Sequence, residues 1–281
     1  MVDLRGMVRE RWGTLRTGAA LFHPHLIRMR WRGDDVFRRY ARPVFERYIQ
    51  SLSPLVRIIN YSEMLSLLGI ESTDVRFDLP LLDGYVGLSD WERVTIATLA
   101  RHYSAQPSFE IGTAAGSTAV LLARNTTETV HTLDLPSDDQ AERGTLTRLP
   151  TDDRVIDGRT RASMLRAWPQ PRVRELLGDS ATFEFQPYHD RIGLFFIDGA
   201  HSYEYVRSDT CNASLCCTQR GIMVWHDFGS SRDVSRWLNG LASRGPRLYT
   251  ISGTTLAFST DIAAIRSALE ATAKPVTFPF T

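Results

Sequence analysis

Short apolar runs alternate with longer amphipathic stretches from about residue 89 to residue 259. Each run has the length of a buried strand, and the stretches between them can hold crossover helices. Ser89 with Glu92 forms a capping box, which predicts the start of the first helix of this region. The apolar runs predict strands at residues 109–111, 130–133, 173–177, 194–197 and 222–225.

Two further apolar runs, 247–251 and 254–259, flank Ser252 and Gly253, a pattern that predicts a hairpin with a two-residue turn. Together the strands predict an α/β fold with a doubly wound, mostly parallel, seven-stranded Rossmann-like sheet and an antiparallel C-terminal hairpin. Residues 135–172 are rich in charges and prolines, which predicts a surface insertion between the second and third strands.

Residues 1–80 are predicted to form a helical N-terminal extension, separate from a main domain at 81–281. The prediction rests on helical spacing of apolar and aromatic residues at Phe37, Tyr40, Val44, Phe45 and Tyr48. The extension could be a structural cover, a lid over a substrate, or an arm through which the chain forms a homo-oligomer. The periodicity favours the structural cover.

Composition and charge narrow the function classes. The 281 residues carry a formal net charge of +1 and are 43% hydrophobic, which shows no bias toward nucleic acid or anionic membrane as a partner. No apolar run is long enough to span a bilayer, and the first 20 residues lack a cleavable apolar core. The three cysteines lie within seven positions, which argues against a disulfide framework and favours a reducing cytoplasm.

Polar residues follow each predicted strand, where ligands bind in open α/β sheets. After the first strand, Gly112 and Gly116 form a glycine turn with Thr113 and Ser117. The turn lacks the middle glycine of a dinucleotide site, and Glu110 suits a cationic amino-acid group better than a phosphate. After the second strand, Asp134 stands where a carboxylate can accept hydrogen bonds from two ribose hydroxyls, although taken in isolation it could also cap a helix.

The fourth and fifth strands end in residues suited to reaction chemistry. Asp198 and Asp227 emerge from neighbouring parallel strands, so two hard oxygen ligands could share a divalent cation such as Mg²⁺. His201 is the candidate general base, because a helix N-terminus lowers a histidine pKa and keeps the imidazole neutral near pH 7. It could instead cap that helix.

The chain resembles the class I S-adenosylmethionine-dependent methyltransferases, and more narrowly the branch of catechol O-methyltransferase-like and macrolide-sugar O-methyltransferases. The resemblance covers roughly residues 87–259 and is most specific over 178–228. It is carried by Glu110-x-Gly112-x-x-x-Gly116, Asp134, Gly178-Asp179-Ser180, the run Phe196 to Tyr203, and Trp225-His226-Asp227-Phe228.

The resemblance implies that S-adenosylmethionine binds with its methionine end over residues 112–117, its ribose at Asp134 and its adenine beside Asp179 and Ser180. It also implies that the cation holds a hydroxyl of a small-molecule acceptor in line with the sulfonium methyl. Phe228 stands where catechol-type enzymes have an asparagine ligand, and His226 stands where macrolide-sugar relatives have an acid. The third ligand is therefore open, with His226 as a candidate.

Three other functions remain open at this stage. Asp198, His201, His226 and Asp227 could form a metallohydrolase site, but a hydrolase has no need of the glycine turn with Asp134. A dinucleotide oxidoreductase is disfavoured by Ala114 in the turn. A non-catalytic cofactor-binding subunit is disfavoured because a candidate base and both carboxylates are present. The acceptor, a sugar or a phenolic natural product, is not specified by the fold.

Overall fold

The computed structural model describes residues 55–71, 74–76, 87–136, 145–150, 152 and 162–273. The helical pattern around residues 37–48 lies outside the described residues. The predicted role of the N-terminal extension therefore stays a prediction.

The described residues form one sheet of eight strands in the order β1-β7-β8-β6-β5-β2-β3-β4. All neighbouring strands are parallel except β8, which runs antiparallel to both β6 and β7. The doubly wound, mostly parallel sheet with a C-terminal hairpin is thus confirmed. The strands are β1 Val56–Ile59, β2 Ser108–Ile111, β3 Val130–Asp134, β4 Val173–Leu177, β5 Ile192–Ile197, β6 Cys217–Trp225, β7 Leu248–Ile251 and β8 Ala257–Ser259.

Helices cover both faces of this sheet, as a parallel sheet requires. Side chains on both faces of the central strand β5 are apolar and have to be covered. Phe195 belongs to the apolar core on one face, and the next residue, Phe196, belongs to the core on the other. The helices are α1 Tyr61–Leu68, α2 Asp90–His102, α3 Ser117–Asn125, α4 Ser163–Ala167, α5 Tyr203–Cys216, α6 Arg232–Ala242 and α7 Ile262–Ala273, with a 3-10 turn at Gln186–Tyr188.

Two details differ from the sequence prediction. The segment assigned to a helical extension contributes a strand, because β1 pairs in parallel with β7 at the edge of the sheet. The hairpin turn is also longer than two residues, since β7 ends at Ile251 and β8 begins at Ala257. The longer loop allows Thr255 to donate from both its backbone N–H and its hydroxyl to Glu92.

The capping box at the start of α2 is confirmed, with Ser89 and Glu92 bonded to each other's backbone N–H groups. All three cysteines are free thiols, and Cys216 and Cys217 are buried. No helix within the described ranges is both long and apolar enough to cross a membrane.

Candidate functional site

The carboxyl ends of β2, β5 and β6 meet at one edge of the sheet. The pairing continues one residue beyond each strand, because Asp198 N–H donates to the Ile111 carbonyl at 2.9 Å and His226 N–H donates to the Ile197 carbonyl at 3.0 Å. Asp198 therefore lies beside the glycine turn, and His226 with Asp227 lies beside Asp198.

The glycine turn is held tightly against the end of β5. Gly112 has φ +100°, and a Cβ atom at this position would lie 2.0 Å from the backbone oxygen of Asp198. Gly116 has φ +86°, and a Cβ atom there would lie 2.6 Å from Cγ of Leu165. Both positions therefore require glycine for conformation and for space. The predicted strand–turn–helix unit is observed, with α3 beginning at Ser117.

Three predicted acids converge beneath this turn. Glu110 is 1% exposed and accepts a hydrogen bond from the Thr132 hydroxyl. Burial raises the pKa of Glu110 well above its usual value, and the charges of Asp198 and Asp134 raise it further. Asp134 accepts hydrogen bonds from Ala114 N–H at 3.0 Å and from the N–H of the following residue. Glu110 is thus enclosed under the turn rather than open to a crevice.

A short segment before β4 covers the glycine turn. The N–H of Ala162 donates to the Ala114 carbonyl at 2.7 Å, and the N–H of Met164 donates to the Ala115 carbonyl at 2.8 Å. Two predicted cofactor residues of the turn, Thr113 and Ser117, are consequently buried. The residues of the turn that are predicted to bind the cofactor therefore lie under a cover that the sequence does not predict.

Asp179 and Ser180, predicted to lie beside adenine, follow β4. The carboxylate of Asp179 accepts hydrogen bonds from the backbone and hydroxyl of Thr145, from Ala181 N–H and from the Tyr205 hydroxyl. Burial alone would raise the pKa of Asp179, but these hydrogen bonds lower it. The carbonyl of Ser180 accepts from the amide of Asn212. This loop is therefore fixed to α5.

His226 lies between three carboxylates. Its Nδ1 is 3.1 Å from Oδ1 of Asp198 and 3.1 Å from Oδ2 of Asp227. Its Nε2 is 3.6 Å from Oε1 of Glu92, which is an electrostatic contact beyond hydrogen-bond distance. Burial would lower the pKa of His226, but the charges of Asp198 and Asp227 raise it well above its usual value.

His201 is held between two carboxylates as well. Its Nε2 is 2.7 Å from Oδ2 of Asp227, and its Nδ1 is 2.6 Å from Oδ1 of Asp152. The backbone N–H of His201 also donates to Oδ2 of Asp152 at 3.0 Å.

These contacts overturn the electrostatic argument for His201 as a neutral base. Burial lowers its pKa, but the hydrogen bonds to Asp152 and Asp227 outweigh burial and raise the pKa to about 10. His201 also precedes Ser202, the N-cap of α5, so it is not part of the helix. Asp152 and Asp227 therefore favour the protonated form of the His201 imidazole, an effect that the helix-end argument did not include.

Asp227 has an unusual backbone. Its φ is +60°, a left-handed conformation that is uncommon for residues other than glycine and that concentrates at functional sites. Burial would raise the pKa of its carboxyl, but the neighbouring His226 and His201 hold it well below its usual range. Its second oxygen accepts from the Ser230 hydroxyl.

The donor set fits a divalent cation. The ligand atoms of Asp198, His201 and Asp227 all lie within 4.8 Å of one another. Carboxylate oxygen and imidazole nitrogen are common ligands of divalent ions. The wider cluster has four carboxylates, Glu92, Asp152, Asp198 and Asp227, around two imidazoles, so its net charge is −2 even with both imidazoles protonated.

Two members of this cluster were missed as site residues. Asp152 was assigned to a surface insertion, yet it is 6% exposed and bonded to His201. No sequence signal distinguishes it from the acids around it. Glu92 was assigned only to a helix cap, but its second carboxylate oxygen reaches Thr255 and faces His226. Its position among apolar residues of an amphipathic helix could have indicated burial.

Comparison with known proteins agrees with the predicted resemblance. Residues 109–228 match a family model described as a methyltransferase domain. No curated protein sequence matches the chain.

Several solved structures are similar to this chain. They include the O-methyltransferase NovP, with 14% identity over 57% of this chain and 76% of that chain and a TM-score of 0.42. Fibrillarin from Aeropyrum pernix with bound S-adenosyl-L-methionine has 13% identity over 55% and 66% and a TM-score of 0.37. CalS10, an amino pentose methyltransferase from Micromonospora echinaspora, has 15% identity over 49% and 51% and a TM-score of 0.33.

The chain spans less than half the length of five other structures that it matches. The stretch that matches the methyltransferase-domain model, residues 109–228, contains the glycine turn and both candidate metal carboxylates.

Proposed function

We propose that this chain is an S-adenosylmethionine-dependent O-methyltransferase. Its acceptor is a hydroxyl of a small molecule, a sugar or a phenolic natural product, and a divalent cation such as Mg²⁺ assists the reaction. One observation carries the proposal: the glycine turn after β2 lies in direct backbone contact with Asp198, which itself lies beside Asp227. A cofactor bound beside the turn, at the Asp198 side, would therefore be adjacent to an acceptor bound at the two carboxylates.

The strand ends on the other side of the turn suit the rest of the cofactor. Asp134 ends β3, next to β2, and its carboxylate contacts the turn through Ala114 N–H. Asp179 and Ser180 follow β4, the next strand. We assign the ribose to Asp134 and the adenine to the loop of Asp179 and Ser180, because this order along the sheet matches the order of groups in the cofactor.

Methyl transfer needs an acceptor oxygen in line with the sulfonium methyl and a destination for the hydroxyl proton. With S-adenosylmethionine bound, the acceptor oxygen would take the methyl group as the carbon–sulfur bond breaks, and S-adenosylhomocysteine would be the leaving product. A divalent cation, when bound, supplies a Lewis acid that lowers the pKa of the acceptor hydroxyl. Asp198 and Asp227 position the acceptor near the turn. His201 does not act alone as a neutral base, so the proton passes into the coupled cluster of carboxylates and imidazoles.

The proposal is tested with S-adenosylmethionine labelled in its methyl group. The purified chain is incubated with Mg²⁺ and a panel of sugar and phenolic acceptors, and the label is located by mass spectrometry. We expect label on an acceptor oxygen, with loss of transfer in Asp198→Ala and in excess chelator while the cofactor still binds. Asp90→Ala, an exposed acid outside the cluster, serves as the matched control and keeps full activity.

Label on nitrogen or carbon would contradict the O-methyl assignment. Full activity in Asp198→Ala or in excess chelator would contradict the metal assignment. Hydrolytic activity of a chain that does not bind S-adenosylmethionine would favour the metallohydrolase instead.

A further inference from the structure

We propose that Thr132 is a positioning residue of the cofactor site, which fixes the glycine turn through the side chain of Thr113. Thr113 then serves the cofactor by anchoring the turn, rather than by offering its own hydroxyl as a contact. This role of Thr132 rests on the proposed function, because it requires that S-adenosylmethionine binds at the turn. Thr132 lies within β3, before the strand end at which the sequence places the site residues.

Three buried side chains form a hydrogen-bond network beneath the turn. The hydroxyl oxygens of Thr113 and Thr132 are 2.6 Å apart, and the Thr132 hydroxyl donates to Oε2 of Glu110 at 2.5 Å. All three residues are at most 3% exposed. Because bulk water scarcely reaches these groups, their hydrogen bonds to one another have to replace hydrogen bonds to solvent. The network thereby ties the turn to strands β2 and β3.

Thr132 sets the direction of the hydrogen bonds in this network. A threonine hydroxyl has one proton to donate, and the proton of Thr132 goes to Glu110. The oxygen of Thr132 can therefore only accept from Thr113, whose hydroxyl is the donor. Position 132 thus needs a side chain that donates and accepts at once. Serine meets this need, whereas valine has the shape of threonine but no hydroxyl.

Strand β3 holds two successive residues of the turn. Thr132 and Asp134 are two positions apart on this strand, so their side chains lie on the same face of the sheet. Thr132 contacts the side chain of Thr113. Asp134 accepts from the N–H of the next residue, Ala114, at 3.0 Å. Ala114 has φ +44°, a left-handed conformation that alanine rarely adopts and that its surroundings have to hold. Thr132 supports this conformation from the preceding residue.

The first test uses the cofactor-free protein. Hydrogen exchange followed by mass spectrometry measures how often the segment 110–118 opens. We expect exchange about fivefold faster in Thr132→Val, the effect of losing one net hydrogen bond, and wild-type exchange in Thr132→Ser. Thr98→Val is the matched control, because Thr98 is equally buried and its hydroxyl is 2.7 Å from that of Tyr61, away from the turn. This control should leave exchange of the segment unchanged.

The second test measures S-adenosylmethionine affinity by calorimetry. Thr132→Val should weaken binding about 3- to 10-fold, while Thr132→Ser and Thr98→Val stay within about twofold of the wild type. Thr113→Val breaks the same network from the other end, so it carries the test on its own if Thr132→Val does not fold. The double variant should lose no more affinity than either single variant, because both substitutions remove one shared interaction.

Wild-type exchange and affinity in Thr132→Val, or equal losses in Thr132→Val and Thr132→Ser, overturn the positioning role. Losses that add in the double variant overturn it as well, since they show that the two hydroxyls act separately. These outcomes leave cofactor binding by the wild type, and with it the proposed function, standing. A wild type that does not bind S-adenosylmethionine overturns the proposed function and this role together.

Discussion

Gly112, at the end of β2, packs against the backbone of Asp198 in the loop after β5. Replacing Gly112 with alanine therefore tests how closely these two strand ends approach. Gly253, in the loop between β7 and β8, is a matched control. Its φ of +88° is close to the +100° of Gly112, but a Cβ atom at Gly253 meets nothing within 4 Å. The two substitutions therefore share a conformational cost and differ in the contact with Asp198.

The magnitudes follow from this difference. Placing alanine at positive φ costs ~1–2 kcal/mol at both sites. At Gly112 the 2.0 Å approach to the Asp198 oxygen adds an overpacking cost of ~1–3 kcal/mol, because backbone on both sides must move. A chain of this size loses about 2–4 °C in Tm per kcal/mol. We expect Gly253→Ala to lower Tm by ~2–8 °C and Gly112→Ala by ~4–20 °C.

Thermal unfolding followed by circular dichroism measures both shifts, and calorimetry measures cofactor affinity in the same samples. Gly112→Ala should also weaken S-adenosylmethionine binding by about tenfold or more, because the turn is displaced, whereas Gly253→Ala should not. Equal Tm shifts for the two variants, or unchanged cofactor affinity in Gly112→Ala, would refute the close approach of the strand ends at the proposed cofactor site.

Two further predictions concern buried side chains that make hydrogen bonds, Glu92 and Thr210. Burial would raise the pKa of Glu92, but His226 and the hydrogen bonds to the carboxylate lower it from 4.5 to about 2. The stabilisation that the ionised Glu92 gives the folded state is therefore present above pH 4.5 and is lost as the pH falls toward 2. Glu92→Gln should therefore have a free energy of unfolding about 3 kcal/mol lower than the wild type at pH 7, and this free energy should fall less steeply as the pH is lowered. Parallel acid-unfolding curves for the two proteins would contradict this. The hydroxyl of Thr210 accepts hydrogen bonds from the indole N–H groups of both Trp225 and Trp237. Because Thr210→Val leaves both buried donors without this acceptor, it should lower the free energy of unfolding in denaturant by ~2–5 kcal/mol. A loss below ~1 kcal/mol would contradict this.

The central strands could be predicted because each is a buried apolar run between polar residues, and five runs predicted this way correspond to β2 to β6. β1 could not, because Val56–Ile59 is a four-residue edge strand with an exposed Arg57, in a segment that otherwise reads as helical. The loop between β7 and β8 was predicted too short, because its length depends on the contact of Thr255 with Glu92, residues that are far apart in the sequence.

The site shows the same division. The glycine turn, Asp134, Asp198 and Asp227 follow strands, so the rule that ligands bind beyond strand ends brings them together. The protonation of His201 was predicted wrongly because its pKa depends on Asp152, which comes from the segment between β3 and β4. The residues around His201 predict the helix end next to it, but they do not predict contact with a carboxylate 49 residues away in the sequence.

The most direct test of the account is the binding of S-adenosylmethionine to the purified chain by isothermal titration calorimetry. We predict one site per chain, with binding abolished or weakened at least tenfold by Asp134→Ala and retained in Asp198→Ala. Absence of binding to the wild type, or unchanged affinity in a folded Asp134→Ala variant, would contradict the assignment of the glycine turn and Asp134 as the cofactor site.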